Sequence, residues 1–576
     1  MLRPEHPNPA KKHASFINLN GTWEFEFDNT LVGIGKKYNE RAHLDGKIEV
    51  PFCPESKLSG IGNTDFINAV WYRRDIEIPK SALDGNVLIT FGAVDYEAKI
   101  YINGTLACEH TGGYTPITVN ATELLHEGTN SLCVYAKDNI RSGIPHGKQS
   151  ELLHSHNCDY TRTTGIWQTV YMEFLPKSYI KNVALSPDAD NCSVSARIEA
   201  VGGGEVVFEA FYNGKLMGKA VKRTSGGAVF MDIPLEEEHL WEVGHGRLYD
   251  VKITFGKDVF ETYFGLRSVR LEGKKFLINN KSVFQKTVLD QGYYEDGIYT
   301  APSAEALEED IKLSLALGFN GARLHMKIFE PLFLYYADLH GYITWGEFPN
   351  WGLDFRVHET TNTVIPQWLE AVERDYNHPS IVGWCPLNET HIDRYGNGAS
   401  IHDAIVRNIY FTTKALDKTR PCIDTSGYVH QKFTDIYDMH NYTQDPEHMR
   451  EEYAEFAQGG MPIDERNMFF RRESLYNGQP LFISEFGGAR WSEETAKSRE
   501  TSWGYGDDPK SEQEFIERFE RLCHTLMDNK NIFGFCYTQL YDIEQEQNGL
   551  LYYDRSPKFE ISKFKAILDR KAEIEK

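Results

Sequence analysis

The chain has 576 residues, of which 41% are hydrophobic and 25% charged. That is too long for one core and too apolar for extensive disorder, so about two to four domains are expected. A formal net charge of -23 and a pI near 5.4 argue against nucleic-acid and membrane-surface partners and, more mildly, against a polyanionic substrate.

The first 175 or so residues read as antiparallel β-structure. Trp23, Phe25 and Phe27 alternate with polar residues, as do Ile76 and Ile78 after W71-Y-R-R, and the runs N86-V-L-I-T-F-G and A98-K-I-Y-I-N-G-T are set apart by turn formers. This pattern predicts a jelly-roll β-sandwich over 1–178. A second set of strands, in S193-V-S-A-R-I-E-A-V, E205-V-V-F-E-A-F-Y, Ala228–Ile233 and L248-Y-D-V-K-I-T-F, predicts an immunoglobulin-like β-sandwich over 179–272. The run Gly202–Gly204 reads as a turn because no helical pattern follows it.

From 273 to 576 the pattern changes to alternating strand and helix. Ser303 as N-cap, Glu305 in the first turn, Leu307, Ile311 and Leu315 on one face, and Gly318 as the stop predict one helix. Strand candidates recur at V283-F-Q-K-T-V-L, F319-N-G-A-R-L, Y342-I-T-W, I381-V-G-W, P421-C-I-D-T, I436-Y-D-M, L481-F-I-S and I532-F-G-F-C-Y. Eight such units predict a (β/α)8 TIM barrel, with polar strand ends at the catalytic mouth. The nine cysteines are scattered without CxxC or zinc-like spacing. With no apolar leader in M1-L-R-P-E-H-P-N-P-A-K-K and no run of membrane-spanning length, a cytoplasmic protein without cofactor or essential metal is expected.

Two segments carry chemistry: H378-P-S-I-V-G-W-C-P-L-N-E389 and P480-L-F-I-S-E485-F-G-G. Each ends an apolar strand-like run with a glutamate, and Asn388 directly precedes the first. One strand-end glutamate serves as well as a salt-bridge partner. Two of them in one barrel are the equipment for cleaving a glycosidic bond, one protonated to assist the leaving group and one ionised to attack the anomeric carbon.

R374-D-Y-N-H-P-S-I-V-G-W ending in N388-E389, together with T163-T-G-I-W-Q-T-V in the first domain, resembles glycoside hydrolase family 2, the family of β-galactosidases, β-glucuronidases and β-mannosidases. The resemblance covers essentially the whole chain. It implies that Glu389 is the general acid/base and Glu485 the nucleophile of a retaining mechanism, with Asn388 on the glycone 2-hydroxyl and Tyr442, in D438-M-H-N-Y, holding the nucleophile. His440 is a ligand contact or a packing residue. Asp159, six residues before Gly165, matches an aspartate that family members send from the first domain into the barrel mouth. Arg323 and His325, in R323-L-H-M-K, match a strand-end pair that orients the nucleophile, and Glu347 braces the site or touches substrate.

The chain also departs from the family. Where many members have Val-Asn-x-His-Glu, this sequence has V288-L-D290-Q291-G, which makes Asp290 the replacement for hydroxyl recognition. Where many have a tryptophan platform, F535-C-Y537-T-Q539 offers Tyr537 for stacking and Gln539 for hydrogen bonding. The Asn-x-Lys of β-glucuronidases reads N548-G-L, with leucine for lysine, which argues against glucuronides unless Lys327 or Arg490 supplies the charge. The expected activity is therefore a retaining exo-β-glycosidase on small carbohydrate substrates, first a β-galactosidase. The alternatives are a β-galacturonide, β-glucuronide, β-mannoside or α-L-arabinopyranoside glycone, or a non-catalytic carbohydrate-binding protein. Homo-oligomers are common in the family.

Overall fold

A computed structural model describes residues 3–390, 398–427, 429–462, 476–491 and 502–576. The first sandwich pairs a six-stranded sheet, in the order Gly46–Val50, Gly21–Phe27, Ala69–Ile78, Gly128–Lys137, Glu97–Ile102 and Thr105–Thr111, with a four-stranded sheet, Ile117–Asn120, Asn86–Phe91, Val170–Leu175 and Ile17–Asn18. The inward residues of both sheets, among them Trp23, Phe25, Tyr72, Ile89, Phe91 and Val134, form one core. The alternation seen in the sequence is thus the in/out alternation of a jelly roll.

Gly165 is held at φ +78°, and a Cβ there would fall 2.3 Å from the Tyr72 hydroxyl. Only glycine lets the strand Gly165–Ile166 lie this close to Tyr72, whose hydroxyl accepts the Ile166 amide at 3.2 Å.

The immunoglobulin-like sandwich has a three-stranded sheet, Tyr179–Asp188, Ser193–Val201 and Gly227–Pro234, facing a sheet of Asp258–Phe264, Tyr249–Phe255, Gly204–Tyr212 and Lys215–Thr224. The second sheet gains a short edge strand, Lys12–His13, from the N-terminal segment. Buried Val194, Ile198, Phe208, Ile253 and Phe260 lie between the sheets.

The barrel is a curled, all-parallel sheet in the order Ile381–Cys385, Ile343–Glu347, Gly321–Leu324, Gln285–Asp290, Ile532–Tyr537, Leu481–Phe486 and Tyr437–Asn441. Among the described residues, seven of the eight expected strands form this sheet. The remaining place, between Ile381–Cys385 and Tyr437–Asn441, is taken by 421–426, which joins its neighbour only through bridges Trp384–Cys422 and Asn388–Ser426. The reason is local. Asp424 accepts the backbone amides of Thr425 and Gln431 and pairs with His430, so a side chain takes over groups that a ladder would have used.

The predicted helix spans Ala304–Leu317. Ser303 caps it by accepting the Ala306 amide, and Gly318 closes it at φ +99°. Leu307, Ile311 and Leu317 are buried on its inner face. No described helix is long and apolar enough to cross a membrane.

Candidate active site

Parallel strands place their C-terminal ends at one mouth. Glu347 ends one strand, Glu485 sits near the end of another, and Glu389 lies four residues past the strand Ile381–Cys385. Glu389 is held at φ +48°, an unfavourable backbone for a non-glycine residue. Its amide donates to Ser426 O at 2.9 Å. Before it, the Asn388 backbone is clamped by Asn350, which accepts the Asn388 amide at 2.7 Å and donates to the Asn388 carbonyl at 2.9 Å. These bonds hold a turn that the Glu389 side chain needs in order to face its partner.

Arg323, 1% exposed, organises the floor. It donates to Glu347 Oε2 at 2.7 Å, to Glu485 Oε1 at 2.8 Å and to Asn388 Oδ1 at 2.5 Å. Burial alone would lower the guanidinium pKa, but Glu347 and Glu485 outweigh it and hold the group above its ordinary value. Glu347 also accepts the Met326 amide at 3.0 Å, and His325 Nδ1 stands 2.8 Å from its Oε1. Burial opposes its ionisation, yet Arg323 and His325 keep its carboxyl below the usual range. Burial lowers the pKa of His325 and so favours the neutral ring. Glu347 therefore braces Arg323.

The second oxygen of Glu485 accepts the Tyr442 hydroxyl at 2.5 Å, and Tyr442 stacks on Tyr505 with ring centroids 3.4 Å apart. His440 Nδ1 lies between the two carboxylates, 2.8 Å from Glu389 Oε1 and 3.3 Å from Glu485 Oε2. Its Nε2 is 3.0 Å from Ser426 Oγ, which donates its hydrogen to Asp438 Oδ2 at 2.6 Å. Nε2 is then the donor. In the neutral ring Nδ1 carries a lone pair, the partner that a protonated Glu389 requires. Ligand atoms of Glu389, His440 and Glu485 lie within 4.8 Å of one another. That spacing suits a shared proton or a divalent cation, and the guanidinium beside Glu485 works against the cation.

A cavity of about 700 Å³ opens onto Glu389, lined also by His146, His156, Asp159, Asn350, Trp351 and Thr390. Asp159 thus comes from the first sandwich to the same wall as Glu389. Burial raises its pKa, with Lys148 opposing.

Asp290, Tyr537 and Gln539 do not line that cavity, and each has partners within the protein. Asp290 Oδ1 accepts the Tyr541 hydroxyl at 2.6 Å and the Gly292 amide at 2.9 Å. Burial and Asp310 push its pKa up to about 6. The Tyr537 ring packs against Phe486 and, at 4.9 Å, against Phe519 of the helix Glu512–Met527. Side chains alternate along a strand, so it is the next residue, Thr538, that meets the Tyr442 hydroxyl at 3.2 Å. Gln539 is used at both ends, accepting from Gln291 at 2.6 Å and donating to Asn548 at 2.9 Å. Asn548 in turn donates to Glu546 at 2.9 Å, which also receives the Tyr160 hydroxyl.

Sequence reasoning missed Asn350, Trp351, Tyr505, Glu546 and Lys148. None lies in a strand-end motif; a loop brings each to the mouth, and only Asn350 and Trp351 follow a predicted strand end closely enough to be found that way.

Residues 269–571 match the family description "Glycosyl hydrolases family 2, TIM barrel domain", and residues 60–176 match "Glycosyl hydrolases family 2, sugar binding domain". A β-glucuronidase of Streptococcus agalactiae is 26% identical over 420 residues, covering 66% of this chain and 67% of its own length. One from Sus scrofa is 23% identical, with coverage of 92% and 84%. Among solved structures, a β-glucuronidase from an uncultured Clostridium sp. superposes with a TM-score of 0.79 at 21% identity over 99% of both chains.

Proposed function

The chain belongs to glycosyl hydrolase family 2 and is a glycoside hydrolase, and from that premise we propose that it is a retaining, exo-acting β-glucuronidase. The observation that carries the reaction type is the approach of the two carboxylates: Glu389 and Glu485 have oxygens within 4.8 Å of each other. Retaining enzymes keep the pair about 5–5.5 Å apart, whereas inverting ones leave about 6.5–9.5 Å for a water molecule.

Glu485 attacks C1 of the glycone as the bond to the aglycone oxygen breaks. The bonding pair leaves with that oxygen, which takes the proton of Glu389. Water then gives its proton to Glu389 and its oxygen to C1, and Glu485 departs as a carboxylate. Arg323 and Tyr442 supply the donors that Glu485 needs whenever it is charged. The buried Asn388 amide nitrogen has no partner among the described residues, which supports a contact to the glycone 2-hydroxyl. Asp159 on the cavity wall supports recognition of further hydroxyls and an exo mode.

The expectation of a β-galactosidase is overturned. The relatives in Streptococcus agalactiae and Sus scrofa, and the Clostridium structure that overlays the whole chain, are all named β-glucuronidases. The leucine of N548-G-L spoke against glucuronides, but it excludes only one position for a cation. All nine cysteines are free thiols, which supports a reducing, cytoplasmic location.

The test is hydrolysis of p-nitrophenyl β-D-glucuronide beside the β-D-galactoside. The glucuronide should be cleaved at least about 100-fold better, with β-glucuronic acid as the first product by NMR. Glu485→Gln should lower kcat by about 10⁴-fold or more while still binding the glucuronide. A preference for the galactoside, or an active Gln variant, would refute the proposal.

A further inference from the structure

Lys148 lies on the loop 146–149, which the first sandwich lays onto the barrel mouth. The His146 amide donates to Trp351 O at 2.9 Å, Gly147 to Pro349 O at 3.2 Å, and the Lys148 carbonyl accepts the Tyr160 amide at 2.7 Å. The side chain is 6% exposed, and its Nζ stands 3.9 Å over the Trp351 ring. Among the described residues no acceptor lies within hydrogen-bond or ion-pair reach of it. A buried ammonium with only an indole face for company is costly to maintain.

Trp351 shares the cavity wall with Glu389 and Asp159. Burial works against the charge on Lys148, but Cys158, Glu546, Glu389 and Glu485 together hold its pKa above the ordinary value, so it stays a cation. Among the described residues the other cations near the mouth are already engaged, including Arg356 on the cavity wall, which pairs with both oxygens of Asp354. Arg323 serves Glu347, Glu485 and Asn388. Lys327, which burial pulls down to about 7, donates to the carbonyls of Gly292 and Tyr299. Arg490 binds Asp508 and Ser502.

We infer that the Nζ of Lys148, poised over Trp351 at the wall shared with Glu389 and Asp159, receives the carboxylate of a uronic glycone. The inference rests on the glucuronide reading of the site. An ionised Asp159 would repel a substrate anion, and Lys148 reverses the sign of the field beside it. A point charge of this kind binds a carboxylate in any rotamer and gains nothing from the hydroxymethyl group of a neutral hexose.

The experiment compares p-nitrophenyl β-D-glucuronide with its C6 alcohol, the β-D-glucoside, on wild type, Lys148→Met and Lys148→Arg. Both rates come from one preparation, so their ratio does not depend on how much of a variant is folded. Lys148→Met should lower kcat/KM for the glucuronide by about 100-fold, mainly through KM, and lower the glucoside rate far less, so that the preference collapses. Lys148→Arg should keep the preference for the acid. If Lys148→Met cleaves the glucuronide like wild type, or loses both substrates equally, the inference is overturned while the glucuronidase reading stands. If the wild type itself cleaves the glucuronide no better than the glucoside, the reading falls and takes the inference with it.

Discussion

At the scale of single residues, the two glutamates differ in what surrounds them. Glu485 is 4% exposed and has a guanidinium on one oxygen and a phenol on the other. Both groups donate hydrogen bonds to it. Glu389 instead faces the cavity, with His440 Nδ1 2.8 Å from its Oε1; in the proposed mechanism it carries the proton. The division of labour predicts a leaving-group effect. Glu389→Gln should slow glucuronides of alkyl alcohols by about 10³-fold, since those oxygens need a proton as they depart, and slow p-nitrophenyl glucuronide much less in its first step. A series of aglycones of rising pKa checks this, because the slope of log kcat/KM against aglycone pKa must steepen in the variant. Equal losses across the series would remove Glu389 from the acid role.

At the scale of elements, the loop 146–149 joins two domains at the catalytic mouth, and Gly147 is what allows it. Its φ is +59°, and a Cβ would lie 2.4 Å from Met326 O and 3.0 Å from Pro349 Cβ. Gly143, a few residues earlier, has a similar φ of +75° but no neighbour closer than 3.9 Å. The pair separates two causes. Gly143→Ala carries only the backbone penalty, of about 1 kcal/mol. Gly147→Ala should also lift the loop from the barrel and cost about tenfold or more in kcat/KM for p-nitrophenyl glucuronide. Matching kinetics in the two variants would show that docking of this loop does not matter. The same contrast between local and distant causes governs what was legible in the sequence. The helix Ala304–Leu317 was readable because its cap, its face and its stop are all local, and the two glutamates proposed for catalysis stand out because each follows an apolar run. The segment 421–426 was read as a strand, since its hydrophobic start hid the side-chain bonds of Asp424. The face on which Tyr537 lies could not be read, because an alternation read without register has two equal solutions. Lys148 and Asp159 are spatial neighbours of Glu389 through the packing of one domain on another; Asp159 was named only because its place before Gly165 resembles the family's, and for Lys148 no spacing in the chain is a signal.

At the scale of the whole molecule, buried ionisable groups set how stability changes with pH. Burial raises Glu55 and Asp95 to about 7. Asp290, buried beside Asp310, and Asp542, buried against the opposing charge of Lys558, both rise to about 6. Between its ordinary pKa and these values, each acid keeps in the folded state a proton that the unfolded chain has released. Rising pH removes that proton at a cost, so stability falls across roughly pH 4 to 7. His430 adds to the same trend at higher pH. Burial alone would depress it, but Asp424 and Asp438 hold its pKa at about 10; its contribution is complete below the unfolded value near 6.5 and is lost as pH rises toward 10. Asp417 has the opposite sign. Burial opposes its charge, yet Arg420 and its hydrogen bonds hold it at about 2, so its contribution is present above the unfolded value and disappears as pH falls through 2. The sum of these acids places maximum stability on the mildly acidic side, near pH 5, with the melting temperature falling from there to pH 7; above pH 7 the loss at His430 is offset by Lys327, which burial holds near 7, so that rising pH removes a proton more readily from the folded than from the unfolded chain. The net charge of -23 grows more negative over the same range and pushes in the same direction. Glu55→Gln isolates one group from that background: it should flatten the decline between pH 5 and 7 by the share of a single proton and leave the profile from 7 to 9 unchanged. Thermal unfolding of both proteins across this range decides the matter, and a wild-type profile that is flat or rises toward alkaline pH would mean that these buried acids are already ionised in the folded state at pH 5.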